Sequence, residues 1–512
     1  MNAEKTIRNS IFSLLGQTCT LLLQFVNRRV FIHFLDIEYL GYTNLFGNVF
    51  SMLSVAELGI GSIICFHLYK EIAVDNREEI GKLMYLYKIV YYFIASLVFV
   101  LGCICFIFIP YIVKDSTLTR SYLAVIYFFQ LVSVVFGYFL SYRRTLLIAN
   151  QKEYKCVQYD VVSSIFIQVI QLCTLALFKN YLLYLALQLS TSFIANILIY
   201  LKTNKDYPYL KSRYHVEKED IIRRNFIPDI KNFLAHRISS VIYGGTDSIV
   251  ISAFVGVRSV ALYGNYYVLE RGVLMMIYKL VDPLQATIGN IIYSGRTKEE
   301  LWKQFEVLDF FGYLLATYVG TGFFLFFQPT IRIWLGRDFL LPYSFVVVFS
   351  ITIYISVAGE MVYKYRSAFG DYGKDRNCMI FSGLLNIVVS ILLVFRLDVT
   401  GVQIGSLVAF LPITYGRMRF VVKGFFDKSI RKYIVKQTFF FCVFLCEIIV
   451  SYYITRNYKF NFTDGFKLLA VYIVVPMVFN IVLFIKDPNF KELCKYIKKA
   501  GLIIGSKVIY RN

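Results

Sequence analysis

The chain has 512 residues, of which 58% are hydrophobic and only 17% are charged, and its mean hydropathy is +0.60. A soluble domain is typically about 45–50% apolar and about 25% charged, so this composition excludes an ordinary soluble fold. The net charge of +21 would suggest nucleic acid in a soluble protein. Cytoplasmic loops of membrane proteins collect lysine and arginine, so we predict no nucleic-acid partner.

Apolar stretches of membrane-spanning length recur along the whole chain, since a spanning helix needs about 20 mostly apolar residues. In chain order the fourteen stretches cover residues 9–33, 42–69, 84–109, 118–142, 157–178, 181–201, 230–254, 261–290, 305–328, 341–363, 377–395, 400–416, 434–455 and 467–485. Open strands are excluded at membrane depth, because unpaired backbone groups in hydrocarbon are costly. The sequence therefore predicts an all-α integral membrane protein with about 14 transmembrane helices. Glu306 and Asp309 are expected to cap the ninth span at the interface.

The connections between these spans alternate in basic residues. With a cytoplasmic N-terminus, the cytoplasmic segments hold 38 lysines and arginines and the outward loops hold 8. This predicts an even number of spans with both termini in the cytoplasm. The longest outward loops have only about a dozen residues, whereas membrane-embedded transferases and polymerases usually need a larger catalytic loop. We therefore predict a protein that moves a substrate and is not an enzyme.

Motifs for nucleotides and metals are absent from the sequence. It contains no Walker A sequence, no HExxH and no CxxC pair among its 10 cysteines. We predict no metal site and no cofactor.

An internal repeat divides the chain. Arg144 and Lys152 follow the fourth span, and Arg366 and Lys374 repeat their spacing at an offset of 222 residues. The segment FLDIEYLGYTN after the first span resembles FVGVRSVALYGNY after the seventh, at an offset of 220. The repeat predicts two six-helix halves with the same orientation in the membrane. Transporters use such a repeat to place a cavity between the halves. The predicted domains are an N-terminal bundle (1–201), a basic cytoplasmic linker (202–229), a C-terminal bundle (230–422), two additional helices (423–486) and a basic cytoplasmic tail (487–512).

Charged residues also lie inside the spans. In chain order, the ones that we single out are Arg28 and Arg29 (first span), Glu57 (second), His236, Arg237 and Asp247 (seventh), Glu270, Arg271, Lys279 and Asp282 (eighth), and Glu360 (tenth). An arginine or lysine at a helix centre costs about 2.5–3.5 kcal/mol, so most must face an aqueous cavity or each other. Lys279 and Asp282 are predicted to pair on one helix. Asp247 and Arg237 are about 15 Å apart along one helix, so the partner of Asp247 must lie on another helix.

Several segments resemble one family of membrane transporters. They are FLDIEYLGYTNLFGNVFSMLSVAELGIG (34–61), LYKEIAVDNREEIGKLMYLYK (68–88), IANQKEY after the fourth span, and TDSIVISAFVG with YGNYYVL (246–269). In this order they are similar to the Wzx-type oligosaccharide flippases of polysaccharide export. That family belongs to the MOP superfamily, together with multidrug and toxin extruders and lipid II flippases.

The resemblance implies two six-helix bundles in a V-shaped, MATE-like arrangement, with two further C-terminal helices. It implies a bacterial cytoplasmic (inner) membrane protein that moves undecaprenyl-diphosphate-linked oligosaccharide repeat units to the outer leaflet by alternating access. The product would be a surface polysaccharide such as lipopolysaccharide or capsule. The implied partners are the lipid-linked substrate, membrane lipids, a polysaccharide polymerase and glycosyltransferases, and the implied driving force is an H⁺ or Na⁺ gradient.

A diphosphate needs cationic partners, and arginine offers a fork of donors that matches phosphate oxygens. We predict a cavity lined by Arg28, Arg29, Arg237, Arg271 and Lys279. Arg28 and Arg29 are about 100° apart on a helix, so only one is expected to face the cavity. The alternative for these two, and for Arg237, is snorkelling to headgroups.

The predicted ion-coupling residues are Glu57, Asp247, Glu270, Glu360 and His236. A carboxylate inside a bundle can carry a proton, because burial disfavours its charged form. Glu57 and Glu360 could equally form structural pairs with Arg28, Arg29 or Lys279. His236 could equally be a packed, hydrogen-bonded residue.

Two other functions are compatible with the sequence. A multidrug, MATE-like, cation-coupled exporter would have a smaller, more acidic and more aromatic cavity. A membrane-embedded polysaccharide polymerase or ligase would need a large outward loop, which the sequence lacks. The sign of the cavity charge distinguishes the flippase from the exporter.

Overall fold

A computed structural model describes residues 3–54, 60–114, 116–212, 214, 245–292, 295–369, 376–458, 462–496 and 498. Within these ranges the chain is helical and has no strand, which confirms the all-α prediction. Nine stretches of the described residues are long and apolar enough to cross a membrane, so the protein is a multi-pass membrane protein.

The chain forms two compact units, Met1–Gly264 and Asn265–Asn512. The first unit contains α1 (Ala3–Phe34), α2 (Glu38–Leu53), α3 (Ile60–Ala73), α4 (Arg77–Ile112), α5 (Arg120–Ala149), α6 (Glu153–Phe178), α7 (Tyr181–Asp206) and α8 (245–254). Helix α9 (Val257–Ile292) begins in the first unit and continues into the second. The second unit adds α10 (Lys298–Trp334), α11 (Tyr343–Ala358), α12 (Glu360–Ala368), α13 (Arg376–Met418), α14 (Ile430–Thr455) and α15 (Phe462–Phe484).

The nine apolar stretches match the predicted spans closely. They lie in α4 to α7 and in α10 to α15, with α11 and α12 forming one stretch. Helices α1 and α9 have 32 and 36 residues and are therefore about 48 and 54 Å long. The second and seventh predicted spans each include residues outside the described part of the chain.

The N-terminal unit holds α3 to α7 side by side with alternating direction. Helix α4 packs against α5, α5 against α7, and α6 against α7, and the connections between successive helices are short. The last residues of α3, α5 and α7 and the first residues of α4 and α6 therefore share one end of the unit. We call it the basic end, because the lysine and arginine counts predict that it is cytoplasmic.

The range called α13 consists of two helices joined at Asp398, and they form a hairpin that corresponds to the eleventh and twelfth predicted spans. The hairpin turns at Asp398, whose φ of 46° and ψ of −133° are not helical. Ser390 Oγ donates a hydrogen bond to the carbonyl of Val402 at 3.3 Å, and Asn386 Nδ2 donates to Ser406 Oγ at 3.1 Å. This pairing is antiparallel, as two short spans with a brief connection require.

A glycine allows the two arms of this hairpin to approach closely. A Cβ on Gly401 would lie 2.5 Å from the backbone carbon and oxygen of Leu393. We expect Gly401→Ala to lower the free energy of unfolding by about 1–3 kcal/mol, because backbone atoms cannot move aside without opening the hairpin. Gly289→Ala is the matched control, since a Cβ there meets nothing within 4 Å. Thermal unfolding of the detergent-purified protein measures both, and equal midpoints for the two variants would contradict this packing.

Helix α10 begins earlier than the sequence predicts. Thr297 caps it: its hydroxyl accepts from the N–H of Glu300, whose carboxylate accepts from the N–H of Thr297. This capping box satisfies two amide donors that the first turn leaves free. Glu306 and Asp309 therefore lie two and three turns inside the helix, and the predicted cap at these residues is wrong.

Asp309 instead joins α10 to α14. Its side chain is 1% exposed and accepts hydrogen bonds from Tyr433 at 2.6 Å and from Gln437 at 3.0 Å. Lys436 lies 3.3 Å from the same carboxylate. These donors compensate a buried charge that would otherwise be expensive.

Candidate functional site

The N-terminal unit contains an open cavity of about 990 Å³. Ligand pockets usually measure about 300–1,000 Å³, so this one is at the upper end of the range. It is lined by α3, by the first halves of α4 and α6, and by residues of α5 and α7 from mid-helix onward. These segments extend from mid-helix toward the basic end, so the cavity lies toward the end of the unit that is predicted to face the cytoplasm.

Aromatic rings and small polar groups make up much of the cavity wall. The rings are Tyr69, Tyr87, Tyr91 and Tyr138. The small polar side chains are Ser141, Thr145, Ser164, Thr191, Ser192 and Asn196. Tyr87 donates to Tyr91 at 2.9 Å and accepts from Thr145 at 3.2 Å, so part of the wall is a hydroxyl chain. Hydroxyls donate and accept hydrogen bonds while rings offer apolar faces, which suits a neutral ligand rich in hydroxyl groups.

One arginine with its counter-charge also lines this cavity. The guanidinium of Arg144 donates to both carboxylate oxygens of Asp160, at 2.8 and 2.6 Å, and its Nε donates to Asn196 Oδ1 at 2.7 Å. These bonds tie α5 to α6 and α7. The side chain of Asp160 is 44% exposed, so solvent or a ligand can reach the pair. Two-point donation by arginine fits a carboxylate or a phosphate equally well.

The neighbouring Arg143 has a structural environment. It is buried, with its guanidinium carbon 5.2 Å from the ring centres of both Tyr142 and Tyr200. Cation–π contacts of this kind stabilise a desolvated arginine. Adjacent arginines on α5 thus face different surroundings, one between rings and one toward the cavity.

The predicted residues Arg28, Arg29 and Asp247 of the N-terminal unit do not line this cavity. Arg28 is partly buried and Arg29 is exposed, so the two point in different directions as their spacing predicts. Nη2 of Arg28 lies 3.3 Å from the position that a Cβ on Gly264 would take. Asp247 is buried and accepts a hydrogen bond from Tyr263 on α9 at 2.7 Å, which confirms that its partner lies on another helix.

The predicted residues of the C-terminal unit include one ion-pair cluster. Lys364 of α12 is buried and lies 2.6 Å from Asp282 and 3.0 Å from Glu360. The ion pair between Lys364 and Asp282 thus joins α9 to α12. The expected partners of Glu360 were Arg28, Arg29 or Lys279, and the partner observed is Lys364.

The other predicted residues of the C-terminal unit, all on α9, differ in how far their side chains are exposed. Glu270 and Lys279 are partly buried, and Arg271 is exposed. Glu57, His236 and Arg237 lie outside the described residues.

The C-terminal unit carries a small cavity at the repeated position. It measures about 40 Å³, and its lining includes Arg417, whose guanidinium carbon lies 4.8 Å from the ring centre of Tyr363. Six of its lining residues correspond to lining residues of the large cavity at the offset of 222. The pairs are Val134 and Ser356, Gly137 and Gly359, Tyr138 and Glu360, Ser141 and Tyr363, Ser192 and Thr414, and Ala195 and Arg417. The repeat therefore places a cavity in each unit, and the cavity of the first unit is much the larger of these two.

Sequence reasoning missed the large cavity. It noted Arg144 as a repeat position, matched by Arg366, but did not propose it as a site residue, because it lies close to a basic loop. Asp160 and the cavity tyrosines were not singled out, since hydroxyls and rings are common in membrane helices. The one usable signal was the repeated arginine with its fixed spacing.

A family model described as "Polysaccharide biosynthesis protein" matches residues 6–284, which is more than half of the chain. No curated protein matches the sequence significantly.

Solved structures of membrane transporters have a similar fold. "Lipid II flippase MurJ, inward closed conformation" aligns with a TM-score of 0.64 at 13% identity, covering 93% of this chain and 99% of that one. An inward-facing multidrug resistance MATE family transporter of the MOP superfamily aligns at 0.57 with 15% identity, covering 78% of this chain and 94% of that one. A mutant of the Vibrio cholerae MATE transporter VcmN aligns at 0.55 with 13% identity, covering 86% and 98%. At these identities the likeness shows a MurJ- and MATE-like fold.

Proposed function

Because the chain belongs to the polysaccharide biosynthesis protein family, we propose that it is a flippase for lipid-linked oligosaccharides. In this proposal it carries oligosaccharide repeat units on undecaprenyl diphosphate from the cytoplasmic to the outer leaflet of a bacterial cytoplasmic membrane. Glycosyltransferases on the cytoplasmic side would supply the substrate, and a polymerase on the outer side would consume it.

The large cavity of the N-terminal unit is the observation that carries this proposal. A repeat unit is a bulky and mostly neutral group whose hydroxyls need hydrogen-bond partners once they leave water. The cavity offers volume, hydroxyl and amide partners, and tyrosine rings. It also lies toward the basic end, where a substrate made in the cytoplasm would enter.

The charge of the cavity favours the flippase over a multidrug exporter. An exporter of cationic compounds would be expected to present unpaired carboxylates. Among the described residues that line the large cavity, the carboxylate is Asp160, and Arg144 neutralises it. The diphosphate itself carries negative charge, and we assign it to the basic residues predicted from the sequence, with Arg144 as a further contact.

Arg144→Ala should reduce export of surface polysaccharide about tenfold. The change removes a charge-assisted contact of about 1.5–3 kcal/mol and leaves Asp160 as an uncompensated anion that repels a diphosphate. Arg144→Lys keeps the charge but cannot reach Asp160 and Asn196 together, so we expect an intermediate loss. Surface polymer is measured at matched membrane levels of each variant. Wild-type polymer in Arg144→Ala would remove this residue from the site.

A deletion strain tests the proposed class. Loss of the gene should abolish one surface polysaccharide and leave its lipid-linked precursor on the cytoplasmic face, and plasmid-borne wild type should restore export. Resistance to cationic dyes should not change. A strain that keeps all its polysaccharide and becomes dye-sensitive would instead indicate the exporter.

A further inference from the structure

A buried carboxylate lies in the C-terminal unit, far along the chain from the large cavity. Glu447 of α14 has no exposed surface. Asn480 of α15 donates a hydrogen bond to its Oε1 at 3.1 Å. Within the part of the chain that the structure describes, its Oε2 has no hydrogen-bond partner and no lysine or arginine is paired with it. An ionised carboxylate in such a place is expensive unless a cation accompanies it.

Other side chains with hydroxyl or amide oxygens are placed near Glu447. Thr321 of α10 lies beside the carboxylate, and Ser451 follows Glu447 by one turn on the same face of α14. The hydroxyl of Ser451 and Oδ1 of Asn480 are buried and make no hydrogen bond to any described residue. Oxygen-bearing side chains of three helices are thus grouped near one carboxylate.

Other hydroxyls of this protein behave differently. Thr20, Ser96, Thr352 and Thr455 each donate to the carbonyl four residues earlier in their own helix. That back-bond is the usual way for a helix in hydrocarbon to satisfy a hydroxyl. Thr321 and Ser451 do not use it, so their oxygens are available for a ligand.

We propose that Glu447, Thr321, Ser451 and Asn480 form a binding site for a small monovalent cation, either a proton or a sodium ion. Hard cations prefer carboxylate, hydroxyl and amide oxygens, which are the atoms gathered here. Binding would neutralise the carboxylate and fasten α14 and α15 to α10. Two of the three helices of this site, α14 and α15, lie beyond the sequence repeat, and the inference does not depend on the substrate of the protein.

The other titratable groups near Glu447 do not supply this cation. They are tyrosines, namely Tyr313 and Tyr318 on α10, Tyr354 on α11 and Tyr472 on α15. Asp309, three turns before Thr321 on α10, is neutralised by Lys436. A dependence on sodium or pH that is lost with Glu447 therefore reports on this site.

The test is the melting temperature of the purified full-length protein in detergent at constant ionic strength. If sodium is the ligand, the melting temperature should rise by about 3 °C when choline is replaced by sodium at a concentration about ten times the dissociation constant. Glu447→Gln should lose this rise, and Thr321→Val should weaken it while keeping the shape of the site. If a proton is the ligand, sodium should have no effect. We then compare wild type and Glu447→Gln in two sodium-free buffers, one mildly acidic and one mildly alkaline. The difference between their melting temperatures should not be the same in the two buffers.

The matched control is Glu299→Gln, which neutralises an exposed glutamate paired with Lys428 in the same unit. It should respond to sodium and pH as the wild type does. The proposal is overturned if wild type and Glu447→Gln respond identically to both sodium and pH, or if Glu299→Gln loses the response as Glu447→Gln does.

Discussion

Enlarging the side chain at position 137 should stop transport without unfolding the protein. Gly137 lies on α5 in the wall of the large cavity, and a Cβ there meets nothing within 4 Å. Its carbonyl accepts from Asn196 at 3.0 Å, a bond that a new side chain leaves intact. Side chains introduced at this glycine therefore extend into the cavity and occupy the volume assigned to the oligosaccharide.

We expect polysaccharide export to fall stepwise through Gly137→Ala, Gly137→Leu and Gly137→Trp. The tryptophan variant should retain less than about a tenth of wild-type export, a loss of more than about 1.4 kcal/mol. Melting temperature and membrane level should stay near those of the wild type, because the added Cβ meets no packed atom and the position lines an open cavity. The same series at Gly465 of α15, where a Cβ also meets nothing within 4 Å, is the control and should export normally. Full export by Gly137→Trp would show that the substrate does not use the cavity.

Lys436→Met should be the most destabilising of the charge-removing substitutions considered for the C-terminal unit. It removes the cation beside Asp309, whose side chain is 1% exposed, and leaves that carboxylate with two neutral donors. Breaking a buried ion pair from one side costs about 3–5 kcal/mol. Since Lys436 is itself 26% exposed, we expect the lower end, about 3 kcal/mol.

Lys428→Met provides the comparison within the same unit. Lys428 pairs with Glu299 at 2.6 Å, but the two side chains are 34% and 62% exposed. Exposed pairs contribute about 0–1 kcal/mol. Thermal or denaturant unfolding of both variants measures the difference. Equal stability of Lys436→Met and Lys428→Met would show that the Asp309 network does not hold α10 to α14.

Much of the fold was accessible from the sequence because hydrocarbon allows few alternatives. A run of apolar residues at membrane length must be helical, so α4 to α7 and α10 to α15 followed from composition alone. The short spans on either side of Asp398 were also predicted, because a dozen or more apolar residues on each side flank a polar turn. The first residues of the helices were harder to predict from the sequence. The N-cap of α10, Thr297, precedes the apolar run, whereas Glu306 and Asp309 stand where the apolar run begins and so resemble a cap.

The site was less accessible, because its residues meet only after folding. Arg144 contacts Asp160 and Asn196 across 16 and 52 positions of sequence, and no local pattern announces either contact. Lys364 likewise reaches Asp282 across 82 positions, so an intrahelical partner three residues away looked sufficient. Spacing along one helix predicts neighbours on that helix, whereas pairing between helices depends on packing that spacing does not encode.

The most direct test of the proposed function is transport by purified protein in liposomes. Wild-type protein should move a fluorescent undecaprenyl-diphosphate-linked oligosaccharide between leaflets, so that an added glycosidase gradually reaches the whole pool. Gly137→Trp should leave about half of the pool protected, as protein-free liposomes do, and Gly465→Trp should match the wild type. If wild-type protein leaves the same fraction protected as protein-free liposomes, while it still binds or exports cationic dyes, the flippase proposal is contradicted.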